Sequence, residues 1–166
     1  MHILCTDAMA DLDQYDRRIL AALQKNGALT NGALSEIVRL SPSQCSRRRL
    51  ALEAAGLIRG YHARLNAQAL GLGLRVLVRV TLRTHTREDH QNFSRWLDGQ
   101  PQVQAAFSVS GSADYVLDVR AEDLDAFADF LHEQLMIRPQ VGHVQSDFVL
   151  KTLKDQPELD LGAGGA

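Results

Sequence analysis

Apolar residues along this chain follow two spacings, and the change falls near residue 70. Upstream they recur every three or four positions, the period of one helix face. Leu12, Tyr15, Ile19, Leu20 and Leu23 form such a stripe, predicting a helix from Asp13 to Lys25. Asp13 can cap it, with Asp16 three residues on, and Asn26-Gly27 stops it. Thr30 is a second cap, opening a short helix with Leu34, Ile37 and Val38 facing inward. A tight turn through Arg39-Leu40 leads to a third helix with both ends marked. Ser41 caps it, Pro42 fits its first position, and Gly56 ends it. On a helical wheel Cys45, Leu52 and Gly56 fall on one side. Ser43, Arg47, Leu50 and Ala54 fall on the other, flanked by Gln44 and Ser46.

From Leu72 the period becomes two. Leu72, Leu74, Val76, Val78, Val80 and Leu82 alternate with Gly73, Arg75, Leu77, Arg79, Thr81 and Arg83, a strand with one buried face. Thr86 caps a helix carrying Phe93, Trp96 and Leu97, which Asp98-Gly99 ends. Val103, Ala105, Phe107 and Val109 alternate again. The Ser110-Gly111-Ser112-Ala113-Asp114 turn follows, then a strand from Tyr115 to Val119. Leu124, Phe127, Leu131 and Leu135 line another helix, which ends before Pro139. Val141 to Leu150 is the last strand. The order strand–helix–strand, strand–helix–strand predicts a ferredoxin-like sandwich with both helices on one sheet face. Three short helices before it, the last two closely joined, make a helix-turn-helix. Residues from Leu57 to Leu65 suggest short strands around Gly60, a small wing. The fold class expected is α+β.

Charge sharpens this division. The net charge of −2 alone argues for no nucleic-acid partner. Residues 1–66, however, carry nine Lys and Arg against six Asp and Glu, and the remainder nine against fourteen. A mildly basic front and an acidic back suggest two modules with different tasks. Arg47 and its small polar neighbours suit a helix laid in a DNA major groove, where Arg reaches guanine and Gln adenine. Ser43, Gln44, Ser46 and Arg47 are the expected base readers. Arg48, Arg59 and His62 complete the candidate DNA-contacting set, the last two with Arg64 toward phosphates. The bland alternative is a solvated helix face.

Two cysteines, Cys5 and Cys45, indicate no disulfide framework, and a reducing cytosol is the simplest setting. No apolar run reaches membrane-spanning length. Residues 1–10 lack the features of a signal peptide and read as a loose extension, with Met9 an alternative start. The tail after Asp155 is expected to be disordered.

Together these pieces resemble the leucine-responsive/asparagine-responsive (Lrp/AsnC, or feast-famine) regulators of bacteria and archaea, from about Leu12 to Lys151. The resemblance rests on Leu12-Asp13 with Asp16-Arg17-Arg18-Ile19-Leu20, and on Leu40-Ser41-Pro42 with Cys45 and Arg48. It rests further on Leu52-Glu53 with Gly56-Leu57-Ile58 and Gly60-Tyr61, and on Val109-Ser110-Gly111 with Asp114-Tyr115. It implies an N-terminal winged helix-turn-helix and a C-terminal ferredoxin-like (βαββαβ) sandwich that senses a free amino acid. It implies homodimers through the sheet, often built into octamers, on a near-palindromic double-stranded DNA site. The domains expected are 1–10 extension, 11–65 DNA-binding, 66–71 linker, 72–154 sensing and oligomerisation, and 155–166 tail.

The resemblance also assigns effector binding to the turn of Ser110, Gly111, Ser112, Asp114 and Tyr115. Glycine lets backbone N–H groups approach a ligand carboxylate, and Asp114 could accept from the ligand ammonium or tie down the turn. A plain strand-to-strand turn is the alternative. Two positions depart from the family pattern. Arg49 stands where an apolar residue is usual, with Leu50 one step along, and Arg39 stands where glycine is common.

An enzyme is one rival reading, but no catalytic motif, zinc spacing or phosphate loop occurs. His2, His62, His85, His90, His132 and His143 are scattered. Glu122, Asp123, Asp125 and Asp129 read as charges at a helix start, so neither a cofactor nor a metal is expected. The other rival, a small-molecule-binding regulatory subunit without a DNA role, is opposed by the helix-turn-helix.

Overall fold

Side-chain caps open five helices in this computed structural model, which describes residues 12–162. The expectations for residues 1–10, with Cys5 and Met9, and for residues 163–166 lie outside the described residues. The chain divides into two compact units, residues 1–64 with 154–166 and residues 65–153.

The first unit holds α1 (Gln14–Lys25), α2 (Asn31–Val38) and α3 (Pro42–Ala54). Asp13 accepts from the N–H groups of Tyr15 and Asp16, and Thr30 accepts from Ala33. These bonds satisfy donors that a helix start leaves free. Ile19, Leu34, Val38 and Cys45 are fully buried where the three helices meet, with Leu52 beside them. Burial pushes the Cys45 thiol pKa up. Arg39, in the turn between α2 and α3, takes a left-handed conformation, φ 59° and ψ 50°. That conformation costs a non-glycine residue about 1–2 kcal/mol.

Two expectations for this unit change. Residues 57–65 form no strand pair, so the wing is an extended segment rather than a hairpin. The tail, expected to be disordered, returns to α1 over residues 155–162. Gln24 exchanges two hydrogen bonds with the Leu159 backbone, at 2.7 and 3.1 Å. The Arg17 guanidinium donates to the Leu161 carbonyl at 3.0 Å, and Leu161 packs against the helical core. Arg64 pairs with Asp155 at 2.9 Å. One leucine side chain and a few backbone groups hold a segment whose composition is otherwise that of a free end.

The second unit begins at the expected linker, where Asn66–Gly71 forms hydrogen-bonded turns. It continues through β1 (Leu74–Leu82), α4 (Arg87–Leu97), β2 (Val103–Ser108), β3 (Tyr115–Ala121), α5 (Leu124–Asp129) and β4 (Val141–Phe148). From Phe130 to Leu135 the last helix continues as a π-helical segment. The strands pair antiparallel in the order β2-β3-β1-β4, the ferredoxin-like arrangement. Val76, Val78 and Val80 of β1 and Leu117 and Val119 of β3 share one buried face with Phe93, Phe127 and Phe130 from the helices. Trp96 packs between Phe93 and Phe130, with ring centroids 5.6 and 6.3 Å away, under the Arg138 guanidinium.

The opposite sheet face has no helix of this unit on it. A register shift between Val103 and Ala105 breaks the alternation of β2. A bulge inserts one residue and turns everything after it to the other face. Val103 therefore packs on the core while Phe107 stands 57% exposed, opposite Val116. Around it lie Leu77 and two ion pairs. The Arg75 fork meets Asp118 at 2.6 and 2.9 Å, and Arg79 meets Asp147 at 2.8 Å.

Candidate functional site

The three consecutive arginines of α3 have three different surroundings. A helix turns about 100° per residue, so neighbours in sequence cannot share a face. Arg48 points back to α1, where its Nη1 lies 2.8 Å from both Asp13 and Asp16 and its guanidinium sits over the Tyr15 ring. Both carboxylates favour its charge and push its pKa up. The Asp13 pKa is held down, first by the Asp16 N–H and also by Arg48. Arg49 runs along the core edge. Its Nε donates to the Tyr61 hydroxyl at 2.8 Å and faces Glu53 at 3.3 Å, and its Nη1 donates to the Leu29 carbonyl at 3.0 Å. The Tyr61 hydroxyl donates in turn to Glu53 at 2.8 Å. Burial and Glu53 raise the Tyr61 pKa, keeping the phenol neutral and able to donate. Gly27 lies beneath that ring, and a Cβ there would come within 3.1 Å of it.

Arg47 is exposed, and among the described residues no hydrogen bond or ion pair engages it. It edges an open recess of about 320 Å³ with Asp16, Arg48, Ala51 and Leu52. Ser43 is exposed one turn before it, and Ser46 is half-buried.

Gln44 has a second role. Its Oε1 accepts from the Ser41 N–H at 3.1 Å while Ser41 Oγ accepts from the Gln44 N–H at 3.3 Å, a capping box. Its amide oxygen is thus held at the helix start, while the side chain as a whole stays exposed. Arg48, also in the candidate DNA set, is paired with two carboxylates of the α1 start. Arg59 and His62 remain exposed on the extended segment after α3. Arg49, Glu53 and Tyr61 form a cluster that the sequence reading missed. The Arg49–Glu53 spacing of four is the one local sign of it.

At the second candidate site, Ser110, Gly111 and Ser112 are exposed, Asp114 is half-buried and Tyr115 is buried. Gly111 has φ 135°, and a side chain there would meet nothing within 4 Å, so glycine serves conformation rather than space. Asp114 ties the turn to β1. One carboxylate oxygen accepts from the Leu82 N–H at 2.8 Å, and the other lies 3.3 Å from His85 Nδ1. Its own N–H donates to Val80, and its carbonyl accepts from Val109. Tyr115 shares a 2.6 Å hydrogen bond with His90 Nδ1. Burial, with help from Asp114, raises the Tyr115 pKa. The last two residues of the set therefore anchor the turn, and the first three present it. Among the described residues no group of three or more His, Cys, Asp or Glu could hold a metal ion, and no helix is long and apolar enough to cross a membrane.

Comparison with known proteins matches both units. A winged helix-turn-helix DNA-binding family model covers residues 12–59. A model described as Lrp/AsnC ligand binding domain covers residues 75–159. The leucine-responsive regulatory protein of Rhizobium meliloti is 37% identical over 91% of this chain and 97% of its own length. The transcriptional regulator AldR of Mycolicibacterium smegmatis is 33% identical over 90% of this chain and 87% of its own length. Among solved structures, a Neisseria meningitidis transcriptional regulator in complex with L-Met superposes with TM-score 0.88 at 40% identity. It covers 91% of this chain and 97% of its own.

Proposed function

The chain belongs to the Lrp/AsnC family of DNA-binding transcriptional regulators, and on that premise we propose where its two ligands sit. The outer face of α3 enters the major groove, with Arg47 reading a base and Ser43 and Ser46 beside it. Arg59 and His62 follow the backbone and contribute affinity without sequence information. One observation carries this assignment: of the three arginines on α3, Arg47 alone projects from the helix with its charge uncommitted. Two such helices in a homodimer fit a near-palindromic site, and the protein works in the cytoplasm with its DNA.

The effector is a free amino acid whose carboxylate meets the exposed backbone around Gly111. The L-Met bound to the Neisseria relative supports that class of ligand. Asp114 acts through the turn, since its carboxylate accepts from the Leu82 N–H. The bare sheet face is the dimer contact, extended to octamers through other surfaces.

Gel mobility on a fragment of the protein's own promoter region, at moderate salt, tests the first site. A shift that Arg47→Ala weakens more than it weakens random-DNA binding is expected. Equal losses on both would leave Arg47 a phosphate contact. A thermal-shift screen of the twenty amino acids tests the second site. At least one should stabilise the protein, and Gly111→Val should remove that gain. A gain that survives Gly111→Val would put the ligand elsewhere.

A further inference from the structure

Leu50 is 61% exposed on a helix whose other large apolar residue, Leu52, is buried. A lone exposed leucine is ordinary on a protein surface, but this one has particular company. It follows Arg47 by three positions and Ser43 by seven, so the three side chains form one line along α3. Arg47 and Leu50 stand about 4.5 Å apart along the helix axis, close to the ~3.4 Å spacing of successive bases on one strand. Leucine has neither charge nor hydrogen-bonding group, so it gains nothing from phosphates. In the major groove its apolar partner is the C5-methyl group of a pyrimidine.

We propose that Leu50 is a specificity-determining residue, packing on a pyrimidine C5-methyl group one base step from the base read by Arg47. In unmodified DNA that base is thymine. The inference rests on α3 facing the groove. It adds a contact of a different kind: Arg47 supplies a charged donor, and Leu50 supplies shape. The inward turn of Arg49, held by Tyr61, Glu53 and Leu29, fixes the helix rotation that leaves Leu50 outside.

The test uses the full chain and a preferred duplex selected from a random-sequence pool. Each thymine is replaced in turn by deoxyuridine, which removes only the methyl group. One thymine, with its mate in the other half-site, should weaken binding roughly fourfold, the worth of burying about one methyl-sized group. Leu50→Ala should bind the unmodified duplex roughly tenfold more weakly, with random DNA bound as before, and should be indifferent to deoxyuridine. In a duplex with cytosine at the critical position, 5-methylcytosine should recover the same fourfold for the natural chain only. The assignment fails if no deoxyuridine weakens the natural chain, or if Leu50→Ala keeps the same sensitivity. A pool with no preferred sequence would remove sequence reading by α3 altogether, and this contact with it. Arg47→Ala separates the two failures, since it should still sense deoxyuridine.

Discussion

Two exposed faces of this molecule carry arginines, and they treat them in opposite ways. On the bare sheet face each of Arg75 and Arg79 lies against a carboxylate from a neighbouring strand. On α3, Arg48 and Arg49 are similarly satisfied within their own unit, while Arg47 is left open. A face on which Leu77 and Phe107 lie among paired charges can approach a like surface with little repulsion. A face with one uncommitted cation and small neighbours suits a polyanion. Whether a guanidinium serves scaffold or recognition depends on the carboxylates within reach, more than on its place in a basic run.

Adding charge to the neutral face should give the largest effect. Leu77→Arg adds a further cation to a face that already carries Arg75, Arg79 and Arg120. Across the proposed dimer the like charges should cost several kcal/mol, moving sedimentation from dimer to monomer at micromolar protein. An unchanged profile would overturn the sheet face as the contact between copies. The arginines of α3 sharpen the contrast next. Arg48→Ala strands Asp13 and Asp16 and should cost about 2 kcal/mol of stability, the pair being only partly buried. Arg47→Ala should change stability by less than about 0.5 kcal/mol and specific DNA affinity by about 1–3 kcal/mol. Thermal melts and binding titrations on both variants check the crossing. Matching profiles would erase the distinction.

Arg39→Gly relieves the left-handed turn before α3 and should raise stability by about 1 kcal/mol. A lowered melting temperature would show that the Arg39 side chain compensates its backbone. The smallest effect concerns acid. Asp13 has a folded pKa below its ordinary value of 3.8. Its contribution is therefore full above that value and fades as pH falls through the lower folded value. Asp13→Asn keeps the cap oxygen, so its melting temperature should fall less steeply in acid than that of the natural chain. Parallel acid slopes would contradict the assignment.

Features written in adjacent residues were legible in the sequence. The limits of α3 follow from Ser41, Pro42 and Gly56, and the strand–helix order follows from spacing. Contacts between distant residues were not. Nothing near Arg48 announces Asp13 and Asp16, and nothing near Leu161 announces Arg17. Phe107 was misleading for another reason: its alternation with Val103 is regular in the sequence, and a bulge undoes it in the sheet. Gln44 fits both a base reader and a capping-box partner by residue type. The hydrogen-bond geometry shows the second of these roles.

Trp96 is the one tryptophan of the chain, and it lies inside the C-terminal unit between Phe93 and Phe130, under Arg138. The N-terminal unit carries tyrosine as its only Phe, Tyr or Trp type, at Tyr15 and Tyr61. Intrinsic emission from the indole thus reports the effector-sensing half by itself, without a label. Paired with fluorescently tagged DNA, it gives two optical channels on one unmodified protein, so the order in which metabolite and operator are felt can be timed in a single stopped-flow trace.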